Sequence, residues 1–328
     1  MKRITLVILA LFTLFIGCKK NSSTEVQVSD EVQAISKRSC AADEVLKVQL
    51  IADPSLRIRM EQIEIFTKKV ITLGELSRLV NGVIEIPVVV NVLYNTATEN
   101  ISDEQIQSQI DVLNADFNNT NSDISKVPSI YASSVGKVGT RFVLLKVVRK
   151  FTDKASWGAK DAMKKGNKGG IDPTDPAHNL NMWVCNLGDG LLGYAQFPGG
   201  KAATDGIVVL YSAFGSRSLY PEGTYIAGYD LGRTASHEVG HWMNLRHIWG
   251  DDGGACTGSD LVDDTPNQGG YNFGCPTFPK VSCNNNGDMS MNYMDYTDDA
   301  CMYMFTNGQS QRMLAIFATG GPRTAIGQ

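Results

Sequence analysis

The chain has 328 residues, of which 43% are hydrophobic and 20% charged, a composition typical of one or two globular domains and unlike that of a disulfide miniprotein or a disordered tail. With 30 lysines and arginines against 34 acidic residues, the formal net charge is -4. The sequence therefore lacks the basic surface that attracts nucleic-acid phosphates, and we expect no nucleic-acid partner.

The first 17 residues have the pattern of a secretory signal peptide. Lys2 and Arg3 precede an apolar run at 4–16, which is too short to span a bilayer, and Cys18 follows a small residue. The segment that ends at Cys18 resembles a bacterial lipobox, so we predict that Cys18 is lipidated and becomes the new N-terminus; secretion without a lipid is the alternative. The sequence thus predicts an exported protein whose precursor is anchored at the cell envelope and contacts the membrane only through this lipid.

A polar tether and short helices are predicted between the signal peptide and the first strand. Residues 19–30 are polar and unpatterned, as a tether should be, and the apolar spacing at 43–46 and 56–64 predicts helical pieces. Nothing in this part of the chain has the pattern of a full domain.

Predicted strands and helices then follow one another up to about residue 244. Strands are predicted at 83–94, after a turn signal at 81–82, and at 141–145, 182–185 and 206–211. One helix, capped by Ser102, carries an apolar face of Ile106, Ile110, Leu113 and Phe117, and another lies near 233–244. This order predicts an α/β or α+β layered domain. The lysine-bearing, glycine-rich stretch 154–168 is predicted to be a solvated loop.

Three of the four histidines cluster in the segment 234–247. Residues four apart on a helix are neighbours, so the rings of His237 and His241 can reach one metal ion. His247 can supply a third ligand if the chain turns sharply after His241, and Asn244 lies where that turn must occur, since asparagine tolerates the left-handed conformation. A bare H-E-x-x-H arises by chance on many helices, but the third histidine indicates a zinc site.

The residue after the first histidine, Glu238, is predicted to be the general base. It lies about 100° round the helix from His237, so it reaches the edge of the metal site without being a ligand. A zinc ion held by three histidines keeps a position open for water and lowers the pKa of that water towards about 7. Glu238 then accepts the proton as the water attacks a peptide carbonyl, and passes it to the leaving amine. The segment therefore predicts a zinc-dependent peptidase.

The histidine segment resembles the zinc-binding consensus of the metzincin metalloendopeptidases, H-E-x-x-H-x-x-G-x-x-H, with Asn244 in place of the glycine. The residues around it are most similar to those of the pappalysin family. Further matches to that family lie at 183–187, 192–198, 264–266 and 292–296, so the resemblance covers roughly residues 80–320. It implies an α+β fold of the metzincin type, in which a twisted mixed sheet has a backing helix and an active-site helix, and an irregular, disulfide-linked C-terminal subdomain carries a Met-turn.

The resemblance also implies roles for residues near the C-terminus. Met294 would be the Met-turn methionine beneath the zinc, and the hydroxyl of Tyr296 would stabilise the oxyanion; a buried tyrosine with only a structural role is the alternative. Asp299 matches the acid at the bottom of the pocket for the residue just after the scissile bond, which predicts a preference for arginine there. Asp298 could take that role instead, or both acids could form an exposed pair.

A calcium site is predicted in the acidic segment 259–265. Its three carboxylates and its hydroxyl groups are the hard oxygen ligands that calcium prefers. The family resemblance supports Asp260, Asp263 and Thr265 as ligands. An acidic solvated loop is the alternative.

Export permits disulfides, and six cysteines remain besides Cys18. Four of them lie in the last 73 residues, and spacing alone does not choose among their three connectivities. The resemblance implies the pairs Cys256–Cys283 and Cys275–Cys301. Cys185, at a strand end, is predicted to be a buried free thiol.

Cys40 is assigned to latency. A thiolate from the pro-segment can act as a fourth zinc ligand that excludes the catalytic water, and the pappalysin family is known for such a cysteine, although its usual Cys-Gly-Thr sequel is here Cys40-Ala41-Ala42. A disulfide between Cys40 and Cys185 is the rival. We therefore divide the chain into a lipid-anchored tether and pro-segment at 18–56 and a metalloendopeptidase domain at 57–328, with cleavable bonds at Leu56–Arg57 and Ile58–Arg59.

The sequence as a whole predicts a secreted zinc endopeptidase, made as a zymogen, that acts on protein or peptide substrates as a monomer. A catalytically silent binding protein on the same fold is one alternative, but it would have no reason to keep Glu238. A zinc amidase acting on non-protein substrates is another, and the Met-turn argues against it.

Overall fold

The structure is a computed structural model that describes residue 35 and residues 37–76 and 83–326. The predicted signal peptide, the predicted lipid anchor at Cys18, the tether and the turn signal at 81–82 lie outside these described residues. Within the described ranges, no helix combines the length and the apolar character needed to cross a membrane.

Five strands and five α-helices form the framework of the described part of the chain. The strands are β1 Ile84–Tyr94, β2 Thr140–Phe151, β3 Leu180–Cys185, β4 Gly193–Ala195 and β5 Ile207–Leu210. The helices are α1 Ala42–Ala52, α2 Ser55–Leu73, α3 Asp103–Phe117, α4 Arg233–Trp242 and α5 Asn307–Ala315. The four predicted strands and the predicted helices are confirmed, although β2, α1 and α2 are longer than predicted. The sequence did not predict β4 or α5.

The strands form one mixed sheet in the order β2-β1-β3-β5-β4. Every neighbouring pair is parallel except β4 and β5, which are antiparallel. The residues of β3 and β5 are all buried, as expected of parallel strands covered on both faces. The short strand β4 forms one edge of the sheet, so its outer backbone groups can pair with another chain segment. This mixed sheet with packed helices confirms the predicted α+β class.

Helix α3 backs the sheet and supports α4. Ser102 caps α3 as predicted, because its hydroxyl accepts a hydrogen bond from the backbone N–H of Gln105 at 3.1 Å. Its apolar face is buried, and its Asp116 accepts a hydrogen bond from Ser236 of α4 at 2.5 Å and pairs with Arg233 of α4 at 3.0 Å. Every residue of α4 is buried, so the histidine helix is fixed between α3 and the sheet.

The C-terminal region is irregular and covalently cross-linked. It contains the disulfides Cys256–Cys283 and Cys275–Cys301, the two pairs that the family resemblance implied. Each disulfide closes a loop and so lowers the chain entropy of the unfolded state. This stabilises the fold by about 3–4 kcal/mol. Cys40 and Cys185 are buried free thiols, so the rival disulfide between them is absent from the structure.

The prediction of a solvated loop at 154–168 is wrong for Lys164, which is 1% exposed. The ammonium group of Lys164 donates to the carbonyl oxygen of Thr204 at 2.9 Å, pairs with Asp161 at 3.0 Å, and lies over the ring of Tyr194. A carbonyl, a carboxylate and an aromatic face thus replace the water that a lysine normally keeps. A count of charges along the sequence cannot show this compensation.

Candidate metal centre and substrate cleft

One group of described residues is close enough to share a metal ion: Cys40, His237, His241 and His247, all buried, with ligand atoms within 4.8 Å of one another. The Nε2 atom of His241 lies 3.2 Å from that of His237 and 3.1 Å from that of His247. Bonds of about 2.0–2.1 Å in a tetrahedral site would separate two ring nitrogens by roughly 3.3 Å. The three histidines therefore fit a zinc ion, and the cysteine provides a fourth donor.

The opposite nitrogen of each ring is held by an acceptor. The Nδ1 atoms of His237, His241 and His247 lie 2.7 Å from the Tyr293 carbonyl oxygen, 2.8 Å from the Leu245 carbonyl oxygen and 2.7 Å from Asp251 Oδ1, respectively. Such partners fix the tautomer and direct the lone pair of Nε2 towards the metal. Burial lowers the pKa of His237 well below its usual value and that of His241 to about 3. Both rings are therefore neutral near pH 7, which is the form that binds a metal.

A tight turn after α4 returns the chain to the metal site. Asn244 has a φ of +76°, the left-handed conformation that was predicted at this position. The N–H of Leu245 donates to the carbonyl of Gly240 at 2.9 Å and closes the turn. His247 is consequently placed beside the other two histidines.

The Met-turn lies against the histidine helix. Met294 is fully buried, and its backbone N–H donates to the side-chain oxygen of Asn292 at 2.9 Å. Its Sδ atom would lie 2.5 Å from a Cβ atom built on Gly240, so a larger residue at that position would force the methionine to shift. The methionine therefore packs directly against α4 between the first two histidines.

Glu238 and Tyr296 both contact Cys40, a residue of the predicted pro-segment. The Cys40 thiol donates to Glu238 Oε2 at 3.4 Å, and the Tyr296 hydroxyl donates to the Cys40 carbonyl oxygen at 3.1 Å. Burial raises the pKa of Glu238 to about 8 and holds those of Cys40 and Tyr296 well above their usual values. The predicted base and the predicted oxyanion donor thus face the same pro-segment residue.

The predicted specificity acid, Asp299, is buried and bound to an arginine of the predicted pro-segment. Arg38, only 2% exposed, donates to Asp299 Oδ1 at 2.5 Å and to the hydroxyl of Thr234 and the carbonyl of Thr297 at 3.0 and 3.1 Å. The other oxygen of Asp299 accepts the N–H of Leu231 at 2.9 Å. The sequence analysis did not assign a role to Arg38, although its position two residues before Cys40 was a usable signal.

Residues 38–41 run along β4 and extend the edge of the sheet. The carbonyl of Ser39 accepts the N–H of Leu192 at 3.0 Å, and the N–H of Ala41 donates to the carbonyl of Gly193 at 3.1 Å. The resulting bridge between Cys40 and Gly193 is parallel. The backbone of this segment pairs with β4, while the side chain of Arg38 reaches Asp299 and that of Cys40 reaches the histidines.

The predicted calcium ligands are only partly together. Thr265 donates its hydroxyl hydrogen to Asp260 Oδ2 at 2.8 Å, whereas Asp263 is exposed. Burial raises the pKa of Asp260 to about 6, although its two oxygens accept hydrogen bonds from the Val262 N–H and the Thr265 hydroxyl. The neighbouring Asp264 instead caps α5, where its two oxygens accept the Thr306 hydroxyl and the Gly308 N–H at 2.6 and 2.9 Å.

The sheet, the backing helix and the buried histidine cluster define a metallopeptidase of the metzincin type. The family model described as pregnancy-associated plasma protein-A matches residues 172–318. The structure is similar to mature mirolysin of Tannerella forsythia in complex with a cleaved peptide, with 49% identity, a TM-score of 0.71, and coverage of 74% of this chain and 95% of that one.

Two further relatives are similar to this chain: one covers more of it, and the other has a lower sequence identity. A promirolysin mutant from the same organism gives 43% identity and a TM-score of 0.78, covering 88% of this chain and 96% of that one. An extracellular metalloprotease of Arthroderma benhamiae is 34% identical over 235 residues, 70% of this chain and 76% of its own. The chain belongs to the pappalysin family of metalloendopeptidases, and the family implies a catalytic metal.

Proposed function

We propose that this protein is a secreted zinc endopeptidase, made as a zymogen, that prefers arginine just after the scissile bond. The observation that carries the proposal is that Arg38 and Cys40 of the pro-segment occupy, respectively, the pocket above Asp299 and the histidine cluster. A pocket that buries a guanidinium and a neighbouring metal site are the two parts that such a peptidase needs. Cleavage of a peptide library, with and without a metal chelator, tests the proposal.

His237, His241 and His247 would hold the zinc ion. When bound, zinc acts as a Lewis acid that lowers the pKa of water and polarises a carbonyl. Glu238 takes the proton from the attacking water and delivers it to the leaving amine. Its burial supports this role because a carboxylate with a raised pKa is the stronger base.

Tyr296 would donate a hydrogen bond to the oxyanion. The support is that its hydroxyl already donates to a peptide carbonyl, that of Cys40, beside the histidines. We expect Tyr296→Phe to lower kcat by about 10²-fold with little change in KM, because this donor acts on charge that develops in the transition state. Steady-state kinetics on a fluorogenic peptide measures both constants. Tyr271→Phe, which removes the hydroxyl of an exposed tyrosine stacked on Tyr296, is the matched control and should be silent; equal losses in the two variants would contradict the assignment.

The pro-segment inhibits the enzyme and is not cut, because the residue in the pocket and the residue at the metal site follow the opposite order along the chain from that in a substrate. In a preferred substrate the pocketed arginine would follow the cleaved bond, so the part of the chain at the metal site would precede that arginine. Here the residue at the histidines, Cys40, follows the pocketed Arg38. The side chain of Cys40 thereby takes the place of the attacking water.

We expect Cys40→Ser to convert the latent precursor into one with measurable peptidase activity. The serine hydroxyl is a much poorer metal donor than a thiolate, so it would not keep water from the metal. Initial rates of the purified, uncleaved precursor on a fluorogenic peptide measure the effect. Cys185→Ser, at the other buried free thiol, is the control and should stay latent. A Cys40→Ser precursor no more active than wild type would refute the role of the thiol.

The precursor is proposed to be anchored through a lipid on Cys18 and released by cleavage at Leu56–Arg57 or Ile58–Arg59 as a monomeric domain at 57–328. The two disulfides and the extracellular relatives support an exported protein. Both bonds lie in the first turns of α2, and Arg59 there pairs with Asp53 at 2.8 Å. Cleavage therefore requires this end of α2 to unwind.

A structural calcium ion at Asp260, Asp263 and Thr265 is also proposed. The buried Asp260 supports it, since a cation would favour its charged form. We expect removal of calcium with a calcium-selective chelator to lower the unfolding temperature by several degrees, because an ion that binds only the folded state stabilises it. Differential scanning calorimetry measures the shift, and Asp260→Asn should abolish it. An unfolding temperature that changes neither with the chelator nor with added calcium would refute the site.

A further inference from the structure

Two buried arginines from the C-terminal part of the chain hold the turn between the second and third histidines. Arg312 of α5 donates from Nε to the carbonyl oxygen of Asn244 at 2.8 Å, and Arg323 donates from Nε to that of Trp242 at 3.0 Å. They are 2% and 6% exposed. The last carbonyls of a helix have no partner within it, so these guanidinium groups satisfy the end of α4 where it turns towards His247.

Each arginine is fixed by an acid from a different element. Arg323 is held by both oxygens of Asp205, at 2.6 and 2.9 Å. Arg312 pairs with Glu64 of α2, a helix that precedes the whole sheet in the chain. The second carboxylate oxygen of Glu64 is buried without a hydrogen-bond partner among the described residues, so Glu64 directs its charge at Arg312 alone.

Outside support adds to the stability of the turn, because its central residue is asparagine, which adopts a left-handed backbone at a greater cost than glycine. Asn244 has a left-handed backbone, which a residue with a Cβ atom adopts at a cost. Its side chain does not hold the turn, since Asn244 Nδ2 is buried without a partner in the described structure. The contact from Arg312 therefore acts on the one residue whose conformation decides where His247 lies.

We propose that Arg312, itself fixed by Glu64 of α2, is a positioning residue for the third histidine and sets the affinity of the histidine cluster for its metal. The chain of contacts runs from α2 through Arg312 to the carbonyl of Asn244. This inference rests on the proposed zinc site and deepens it.

The test measures metal binding rather than activity. The full chain carrying Cys40→Ser and Glu238→Ala, which removes the pro-segment thiol and prevents autolysis, is compared with the same chain carrying Glu64→Gln or Arg312→Lys. Competition with a chromophoric chelator gives the zinc dissociation constant, and the visible absorption of the Co²⁺-substituted protein reports the ligand geometry. Glu61→Gln, an exposed acid one turn away on α2, is the matched control.

We expect Glu64→Gln and Arg312→Lys each to raise the zinc dissociation constant by about tenfold and to shift the Co²⁺ bands, as loss of an outer support does, with Glu61→Gln unchanged. Unchanged affinity and spectrum in Glu64→Gln would overturn the proposal, even if the unfolding temperature falls and even if the Arg312 variant does not fold. A parent chain that binds zinc, while the wild-type enzyme freed of its pro-segment cleaves nothing, would refute only the proposed peptidase function, whereas a parent chain that binds no zinc would refute both.

Discussion

Replacing Glu238 by alanine is expected to abolish measurable peptidase activity while the metal stays bound. The three histidines and the glutamate have separate tasks, so removing the carboxylate leaves the ligands in place and takes away only the proton acceptor. General-base catalysis contributes roughly 10²–10⁴-fold, and we expect a loss in kcat/KM near the upper end of this range because the site is buried. Kinetics of the activated enzyme on a peptide with one arginine bond measures the loss.

Metal content separates loss of the base from loss of the site. Atomic absorption should find one zinc per chain in both wild type and Glu238→Ala, and removal of the metal by a chelator should inactivate the wild type reversibly. Stoichiometric zinc in Glu238→Ala together with undiminished hydrolysis would show that the base is another residue.

Replacing Asp299 by alanine is expected to remove the preference for arginine. Its carboxylate binds the Arg38 guanidinium in a nearly solvent-free pocket, and breaking such a buried pair costs about 3–5 kcal/mol. This corresponds to a loss of roughly 10²- to 4 × 10³-fold in kcat/KM for arginine substrates. Cleavage of a proteome-derived peptide library shows the loss directly, as arginine disappears from the position after the cut.

Asp298→Ala is the matched control for the pocket. Asp298 is adjacent in sequence but only half buried, and the guanidinium of Arg38 is bound by Asp299. The Asp298 variant should keep its arginine preference. Enrichment of arginine that survives Asp299→Ala and vanishes in Asp298→Ala would assign the pocket to the neighbouring acid.

The histidine helix and its turn could be predicted from the sequence because their determinants are local. Spacings of four and six residues place His237, His241 and His247, and the tolerance of asparagine for a positive φ at Asn244 is a property of that residue alone. The apolar faces of the strands and of α3 are likewise set by periods of two and 3.6 residues. Each of these features depends on neighbours in the chain.

The rest depends on residues far apart in the chain. The pairing of Arg38 with Asp299 spans 261 residues, and the burial of Lys164 depends on aromatic rings from two other elements. Strand β4 has three residues, too few for a period to show. Helix α5 is polar, but its Thr306 and Gln309 form a capping box that could have predicted it.

The carboxylate of Asp299 binds Arg38 in the structure, and under the proposed specificity it would also bind the arginine of the substrate. The affinity of the pocket for a substrate arginine is therefore coupled to its affinity for Arg38. A change at Asp299 that broadens the substrate range also weakens the binding of the pro-segment. Evolution of a new specificity in this protein is therefore expected to require substitutions at both Asp299 and Arg38, so that the pro-segment still fits the altered pocket. A variant altered at Asp299 alone is expected to give a precursor with weaker latency, even though Cys40 still lies at the histidines.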